Sequence, residues 1–490
     1  MVFVDGTVVN VALPAIQQAL GGTAVQMQWI VEAYALLLAS LVLVGGALGD
    51  RLGRKRVFAA GASLFALASV ACGLAPSATL LVVARGVQGI GGALLVPGSL
   101  ALVSAAYPEE TRGAAIGTWS AASGITASLG PLLGGWIVAN VSWRWIFFLN
   151  VPLGAAVVAL TTRHVKETRD DTASAKVDWL GAALAATGLG AIVFALLDAP
   201  SAGGILAGRT TLGLAVGVAT LGAFVVSESR QAHPMVPLAL FRSRTFSGTN
   251  LLTLLLYAAL GGALFFLPFD LIQVQGYSPA AAGASLLPLI ALVSAMSPLA
   301  GAAVARFGIR VLLVVGPLVA AGGFALLALP QARGPYWTTF FPGIAVLGLG
   351  MGTTVAPLTT AVMGSVEARH AGLASGINNA VARAAGLLAV AGLGVVLTAR
   401  FDGALDRGLE AMSASPNLRV VVDAHRAQLA GADLRALDPA TAMAVRRVFD
   451  DAYVVAFRTT MFACAGLSLA GALLALALIA PLRAAPPSPG

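Results

Sequence analysis

The chain has 490 residues, of which 58% are hydrophobic and only 10% charged, against roughly 25% charged in an ordinary soluble domain. So little charge cannot clothe a water-facing surface, which excludes a soluble protein and points to an all-α polytopic membrane protein. The net charge of +8 is strung along short links instead of being gathered on one face, which speaks against a nucleic-acid partner.

The first run reads MVFVDGTVVNVALP, with Asp5 and Asn10 set among valines, alanine and leucine before Pro14. It has no basic leader region and no small-residue cleavage site, so it reads as a membrane helix and not as a removed signal. A charged residue inside a bilayer costs at least a few kcal/mol and faces a cavity or a partner. Only four residues precede Asp5, so the expectation is either a native start upstream or a short helix whose carboxylate is partly wetted.

Apolar runs of about 20 residues, enough to cross roughly 30 Å of hydrocarbon, fall at 2–20, 28–48, 57–75, 80–104, 113–139, 145–162, 178–198, 210–228, 246–268, 281–304, 309–330, 337–361, 372–399 and 453–481. That predicts fourteen transmembrane helices. With a cytoplasmic N-terminus, the inner links carry Arg51, Arg54, Lys55, Arg56, Arg163, Lys166, Arg230, Arg242, Arg306 and Arg310, among others, while the short outer links hold only Arg144, Arg209 and Arg333. This bias puts both ends on the cytoplasmic side of the cell membrane. One long connection, about 401–452, would be external, with a helix start at Asp438-Pro439.

Gly46-Ala-Leu-Gly-Asp50-Arg51-Leu-Gly53 recurs as Gly301-Ala-Ala-Val-Ala305-Arg306-Phe-Gly308, each on a tight link after an outside-to-inside helix. Weak internal repeats of this kind mark transporters built from similar bundles. The repeat divides the chain into a six-helix bundle over 1–162, a linker with two accessory helices over 163–245, and a second six-helix bundle over 246–490.

The stretch Gly46 to Arg56 is the most specific motif. Its glycines permit a tight turn and close helix approach, and Asp50 beside Arg51, Arg54 and Lys55 can form a latch that opens and closes; a plain basic topology anchor is the other reading. The pattern resembles the loop between the second and third helices of the major facilitator superfamily. LLVVARGVQGIGG at 80–92 and Gly130-Pro131-Leu-Leu-Gly134-Gly135 look like the fourth-helix and fifth-helix antiporter motifs of that superfamily, although Thr126 stands where the latter expects glycine. DGTVVNVALP at 5–14 and WRWIFFLNVPLG at 143–154 are similar to the fourteen-helix drug:proton antiporter branch. The resemblance implies a major facilitator fold with two inserted helices and export driven by the proton gradient, with no other cofactor.

Arg85 lies in the middle of an apolar run with Gln88 one turn on, so both share a helix face. A buried guanidinium stays charged and demands a carboxylate or other acceptors. Asp5 and Glu32 are the acidic candidates, and a carboxylate poised between desolvation and a cation is a reversible proton carrier. Asp5, Asn10, Glu32, Arg85 and Gln88 therefore form the candidate proton-coupling and substrate set. Arg85 as a static tie and Glu32 as a residue of the outer mouth are the competing readings. In the second half Asn378, Asn379 and Arg383 are cavity candidates or packing contacts. Asp198 and Asp270 fall at helix ends and read as solvated anchors.

No lysine sits in a Walker A pattern, the histidines are scattered, and Cys72 and Cys464 occupy separate runs, so no ATP, metal or enzymatic site is expected. The reading is a monomeric exporter of small amphipathic or cationic compounds that exchanges them for protons across a lipid bilayer. An exporter of one metabolite, natural product or siderophore is the alternative. A membrane sensor without transport is disfavoured because no soluble output domain is long enough.

Overall fold

A computed structural model describes residues 1–107, 126, 129–168, 178–231, 234–367, 371–435 and 437–480. Every regular element among them is helical. Twelve described helices are long and apolar enough to cross a membrane. Val2–Leu20 (α1) is a nineteen-residue helix outside that set, its apolarity lowered by Asp5, Asn10, Gln17 and Gln18. Of the run expected at 113–139, the described residues give the helix Leu129–Asn140 (α5); residues 113–125, 127 and 128 lie outside the described set.

The chain divides into two compact units. The first comprises 1–235, 268–284 and 407–449. It holds α1, Ala24–Leu52 (α2), Arg54–Leu74 (α3), Ala78–Ala106 (α4), α5, Asn150–His164 (α6), Trp179–Ala202 (α7) and Gly208–Arg230 (α8). Local signals set the helix ends. Gly21 closes α1 in the left-handed region at φ 61°. Thr23 and Gln26 exchange hydrogen bonds as a capping box that starts α2, and Asp178 caps α7 by accepting from the Gly181 amide at 2.7 Å. The α7–α8 pair adjoins α2 through the Trp29–Phe194 ring contact, at 6.3 Å between centroids.

The second unit comprises 236–267, 285–406 and 450–490. It contains most of Arg244–Phe269 (α9), Leu287–Phe307 (α11), Ile309–Leu327 (α12), Phe341–Gly364 (α13), and the larger parts of Ala371–Ala411 (α14) and Pro439–Leu478 (α16). Pro279–Ser285 (α10) falls almost wholly in the first unit. The repeated loop motif has a backbone counterpart. Gly53 between α2 and α3 has φ 111° and ψ 123°, and Gly308 between α11 and α12 has φ 79° and ψ 154°. Each donates its amide to the carbonyl four residues back, Gly49 or Val304. A side chain rarely adopts such a φ, so glycine recurs at the turn in both halves.

The connection at 401–452 is folded instead of being an open loop. Helix α14 runs on to Ala411, Pro416–His425 (α15) and a 3₁₀ turn at Arg426–Gly431 follow, and α16 starts at Pro439. Phe401, Leu405 and Leu409 on α14 and Val445 and Phe449 on α16 are buried at helical spacing. Asp438 caps α16 by accepting from the Thr441 amide at 3.1 Å. Arg446 donates to the carbonyls of Ala430 and Ala432 at 2.6 and 2.5 Å, and Gln17 Nε2 donates to Gln428 O at 3.1 Å, joining the turn to the end of α1.

Candidate functional site

Five helices of the first unit converge on Asp5. Its carboxylate is 0% exposed and the Arg85 side chain 1%, so it is not wetted as a short lead would suggest. Arg85 Nη1 donates to Oδ2 at 2.5 Å, while Gln88 Nε2 and Asn150 Nδ2 each donate to Oδ1 at 2.9 Å. Arg85 and Gln88 sit three residues apart on α4, on one face. Asn150 opens α6, and the turn before it is pinned by Arg144, whose Nη1 donates to the carbonyls of Gly73 and Ala75 at 2.9 and 2.7 Å at the end of α3.

The guanidinium has further partners. Its Nε donates to Ile30 O at 3.0 Å and Nη1 to Gln88 Oε1 at 2.6 Å. It stacks 4.1 Å from the Tyr34 ring centroid and 5.9 Å from that of Phe147. Gln88 Nε2 also donates to Ser69 Oγ at 2.6 Å. A buried charge pair is tolerated only when its remaining donors and acceptors find partners, and here the Ile30 carbonyl and the amides of Gln88 and Asn150 supply them. Asn150, Ser69, Tyr34 and Ile30 were not singled out from the sequence. The one available signal was an asparagine inside the apolar stretch WRWIFFLNVPLG.

Glu32 is separate from this network. It is 1% exposed, and neither carboxylate oxygen has a hydrogen-bond partner among the described residues. Asn10, half-buried on α1, likewise leaves Oδ1 without one.

Asp50 pairs within its own motif, with 2.8 Å to both Arg54 Nε and Nη2. Arg51 is exposed, and Gly46 faces Pro97 of α4. A residue missed from sequence, Glu167, ties this loop to the segment leaving α6. It accepts from the Lys55 amide at 3.0 Å and lies 3.6 Å from Arg56 Nε, while the Arg54 amide donates to Thr168 O at 2.9 Å. Lys55 Nζ donates to Thr162 O at 2.9 Å. A Cβ on Gly53 would stand 2.7 Å from the Glu167 carboxyl carbon.

On α5, Gly130 and Gly134 bring the helix against α1. A methyl on Gly134 would stand 2.9 Å from Val8 O, and one on Gly130 would strike the Thr7 hydroxyl. Gly135 faces Pro279 and Ala280, and Pro131 O faces Gly283, so this motif packs the helix that carries Asp5.

In the second unit Asn378 Nδ2 donates to Thr253 Oγ1 at 2.7 Å and to Asn250 Oδ1 at 3.2 Å. Asn379 points elsewhere: it is exposed and donates to Ser375 O on its own helix at 3.0 Å. Arg383 is half-buried. Asp198 pairs with Arg209 at 3.0 Å near the surface, whereas Asp270 departs from the solvated expectation. A π-helical turn at Asp270–Val274 folds it inward, and Gln275 Nε2 donates to it at 3.3 Å. No group of three or more potential metal ligands occurs among the described residues.

Residues 1–390 match the family model described as Major Facilitator Superfamily. The chain belongs to the major facilitator superfamily. It is accordingly a membrane transporter and not an enzyme. Among the relatives of this superfamily member, the multidrug resistance protein Stp of Mycobacterium tuberculosis is 36% identical over 86% of this chain and 78% of its own. The tetracenomycin C resistance and export protein of Streptomyces glaucescens is 36% identical over 82% of this chain and 74% of its own. The superfamily fold also matches a crystal structure of a bacterial homologue of the human lysosomal transporter Spinster, with a TM-score of 0.67 and 18% identity over 97% of this chain and 93% of that one.

Proposed function

We propose that the protein exports small amphipathic or cationic drugs across the cytoplasmic membrane in exchange for protons, by alternating access. The observation that carries this reading is the dry Asp5 carboxylate held by Arg85, Gln88 and Asn150. A carboxylate in that setting can bind and release a proton as its surroundings are remade. Glu32, buried and without a hydrogen-bond partner among the described residues, and Asn10 belong to the region that meets a cationic or amphipathic guest. Relatives named for multidrug and tetracenomycin C resistance support the drug class.

In this reading the chain is a monomer with fourteen transmembrane helices and both termini cytoplasmic. Residues 1–162 and 246–490 form the two bundles, 163–245 the link with the accessory pair α7–α8, and the folded connection at 401–452 lies outside. The Gly46–Lys55 loop with Asp50 is the cytoplasmic gate, the Gly130–Gly135 stretch sets antiport through its contact with α1, and Asn378, Asn379 and Arg383 belong to the second-half cavity. Export of a single natural product is the second reading, favoured by the likeness to a protein named for one antibiotic.

Dye transport in everted membrane vesicles tests the proposal. A proton gradient directed outward, with the vesicle lumen acid, drives accumulation of amphipathic cations by the wild type and not by Asp5→Asn; absence of gradient-driven uptake for a panel of such compounds overturns the multidrug reading.

A further inference from the structure

The two amides on Asp5 Oδ1 are not equivalent. Gln88 is engaged at both ends: Nε2 donates to Asp5 and Ser69, while Oε1 accepts from Arg85 Nη1 at 2.6 Å and from the Cys72 thiol at 3.7 Å. Turning it over would set an NH₂ group against the guanidinium and a carbonyl against the carboxylate. Asn150 is engaged at one end. Its Nδ2 donates to Asp5, and its Oδ1 is buried with no hydrogen-bond partner among the described residues.

A primary amide donates from one side and accepts on the other, and its terminal torsion is broad and two-fold, so a half-turn exchanges the two. An ionised carboxylate only accepts, whereas a protonated one carries an O–H that needs an acceptor. Oδ2 faces the cationic Nη1 of Arg85, so an added proton goes to Oδ1. At that atom Gln88 is fixed and Asn150 can turn.

We propose that Asn150 is a positioning residue that follows the protonation state of Asp5, its Nδ2 donating to the ionised carboxylate and its Oδ1 accepting the O–H after a half-turn of the amide. The proton is taken from water, forms the Oδ1–H bond and returns to water when that bond breaks; nothing is oxidised or reduced. Reversal keeps a buried O–H satisfied, so the protonated state does not need water to enter. The other titratable or charged groups facing the pair are Tyr34 of α2, Cys72 of α3, Arg85 of α4 and the Met1 amino group. The inference rests on reading Asp5 as the proton carrier.

Infrared difference spectra between alkaline and acid pH, taken on the full chain in lipid nanodiscs, provide the test. The carboxylic C=O band absent from Asp5→Asn identifies protonated Asp5. In Asn150→Leu that band is expected at higher wavenumber, because the O–H has lost its acceptor, and in Asn150→Gln it is expected back near the wild-type position. Asn150→Ala gives the same readout without added bulk should the leucine variant not fold. An Asp5 band unmoved in Asn150→Leu or Asn150→Ala overturns the role of Asn150 while leaving Asp5 as the carrier. Lack of any Asp5 band down to acid pH, in protein that still transports, overturns both.

Discussion

Asp5 and Arg85, 80 residues apart in sequence, form an ion pair of 2.5 Å with neither side chain exposed beyond 1%. Removing one partner of a buried pair leaves the other charge uncompensated, at about 3–5 kcal/mol. Asp5→Asn is therefore expected to lower the thermal unfolding midpoint markedly. The double variant Asp5→Asn with Arg85→Gln should regain much of the loss without regaining gradient-driven transport. Thermal melts of the four proteins in detergent, read as a double-mutant cycle, check this.

The paired glycines give a graded prediction. Gly53→Ala meets both a φ of 111° and the Glu167 carboxyl, whereas Gly308→Ala meets a φ of 79° with nothing within 4 Å of the added methyl. Backbone strain alone is of the order of 1–3 kcal/mol, so Gly308→Ala should be impaired and Gly53→Ala, with the added clash, more so. Transport per copy, normalised to the amount of protein in the membrane, distinguishes them. Equal activity would contradict the assignment of Glu167 to the loop.

Packing of α5 on α1 predicts that Gly134→Ala disturbs the helix carrying Asp5. A methyl 2.9 Å from Val8 O requires backbone to move, and overpacking of this kind costs about 1–3 kcal/mol. Gly222→Ala, with no heavy atom within 4 Å, is the control. Reduced transport in the first and wild-type transport in the second is the expected result.

The folded connection should loosen in acid. Hydrogen bonding by Thr441 holds the Asp438 carboxyl below its usual range. A carboxyl lowered in the folded state stabilises above its unfolded pKa, and the contribution is lost as pH falls through the folded value. Amide exchange at Thr441 is thus expected to speed up, relative to the intrinsic rate, as pH falls below the ordinary aspartate range. Asp438→Ala should abolish that pH dependence. Arg446→Ala, which frees two carbonyls, should raise protease cleavage around Arg426–Gly431.

Much of this architecture was legible in the sequence because a bilayer writes a plain rule, long apolar runs with rare charges. Asp5, Arg85 and Gln88 stood out as polar residues where lipid allows few, and they meet. Asn150 did not stand out, because its partner lies 145 residues away and an asparagine in a membrane run has many uses. Glu167 did not stand out, since charge near a membrane face has no pattern that reveals a tie to another loop. The connection at 401–452 looked like a loop because Arg400, Asp402, Asp406, Arg407 and Glu410 interrupt the apolar spacing of Phe401, Leu405 and Leu409. Asp270 was misread as solvated because a π-helical turn, which periodicity does not foresee, rotates it inward.

The central claim is that Asp5 carries the exchanged proton. Proton release on addition of a transported dye to purified protein in weakly buffered detergent solution tests it most directly. The wild type should acidify the medium on binding, and Asp5→Asn, at dye concentrations that still saturate it, should not. Equal release from both proteins would contradict the account.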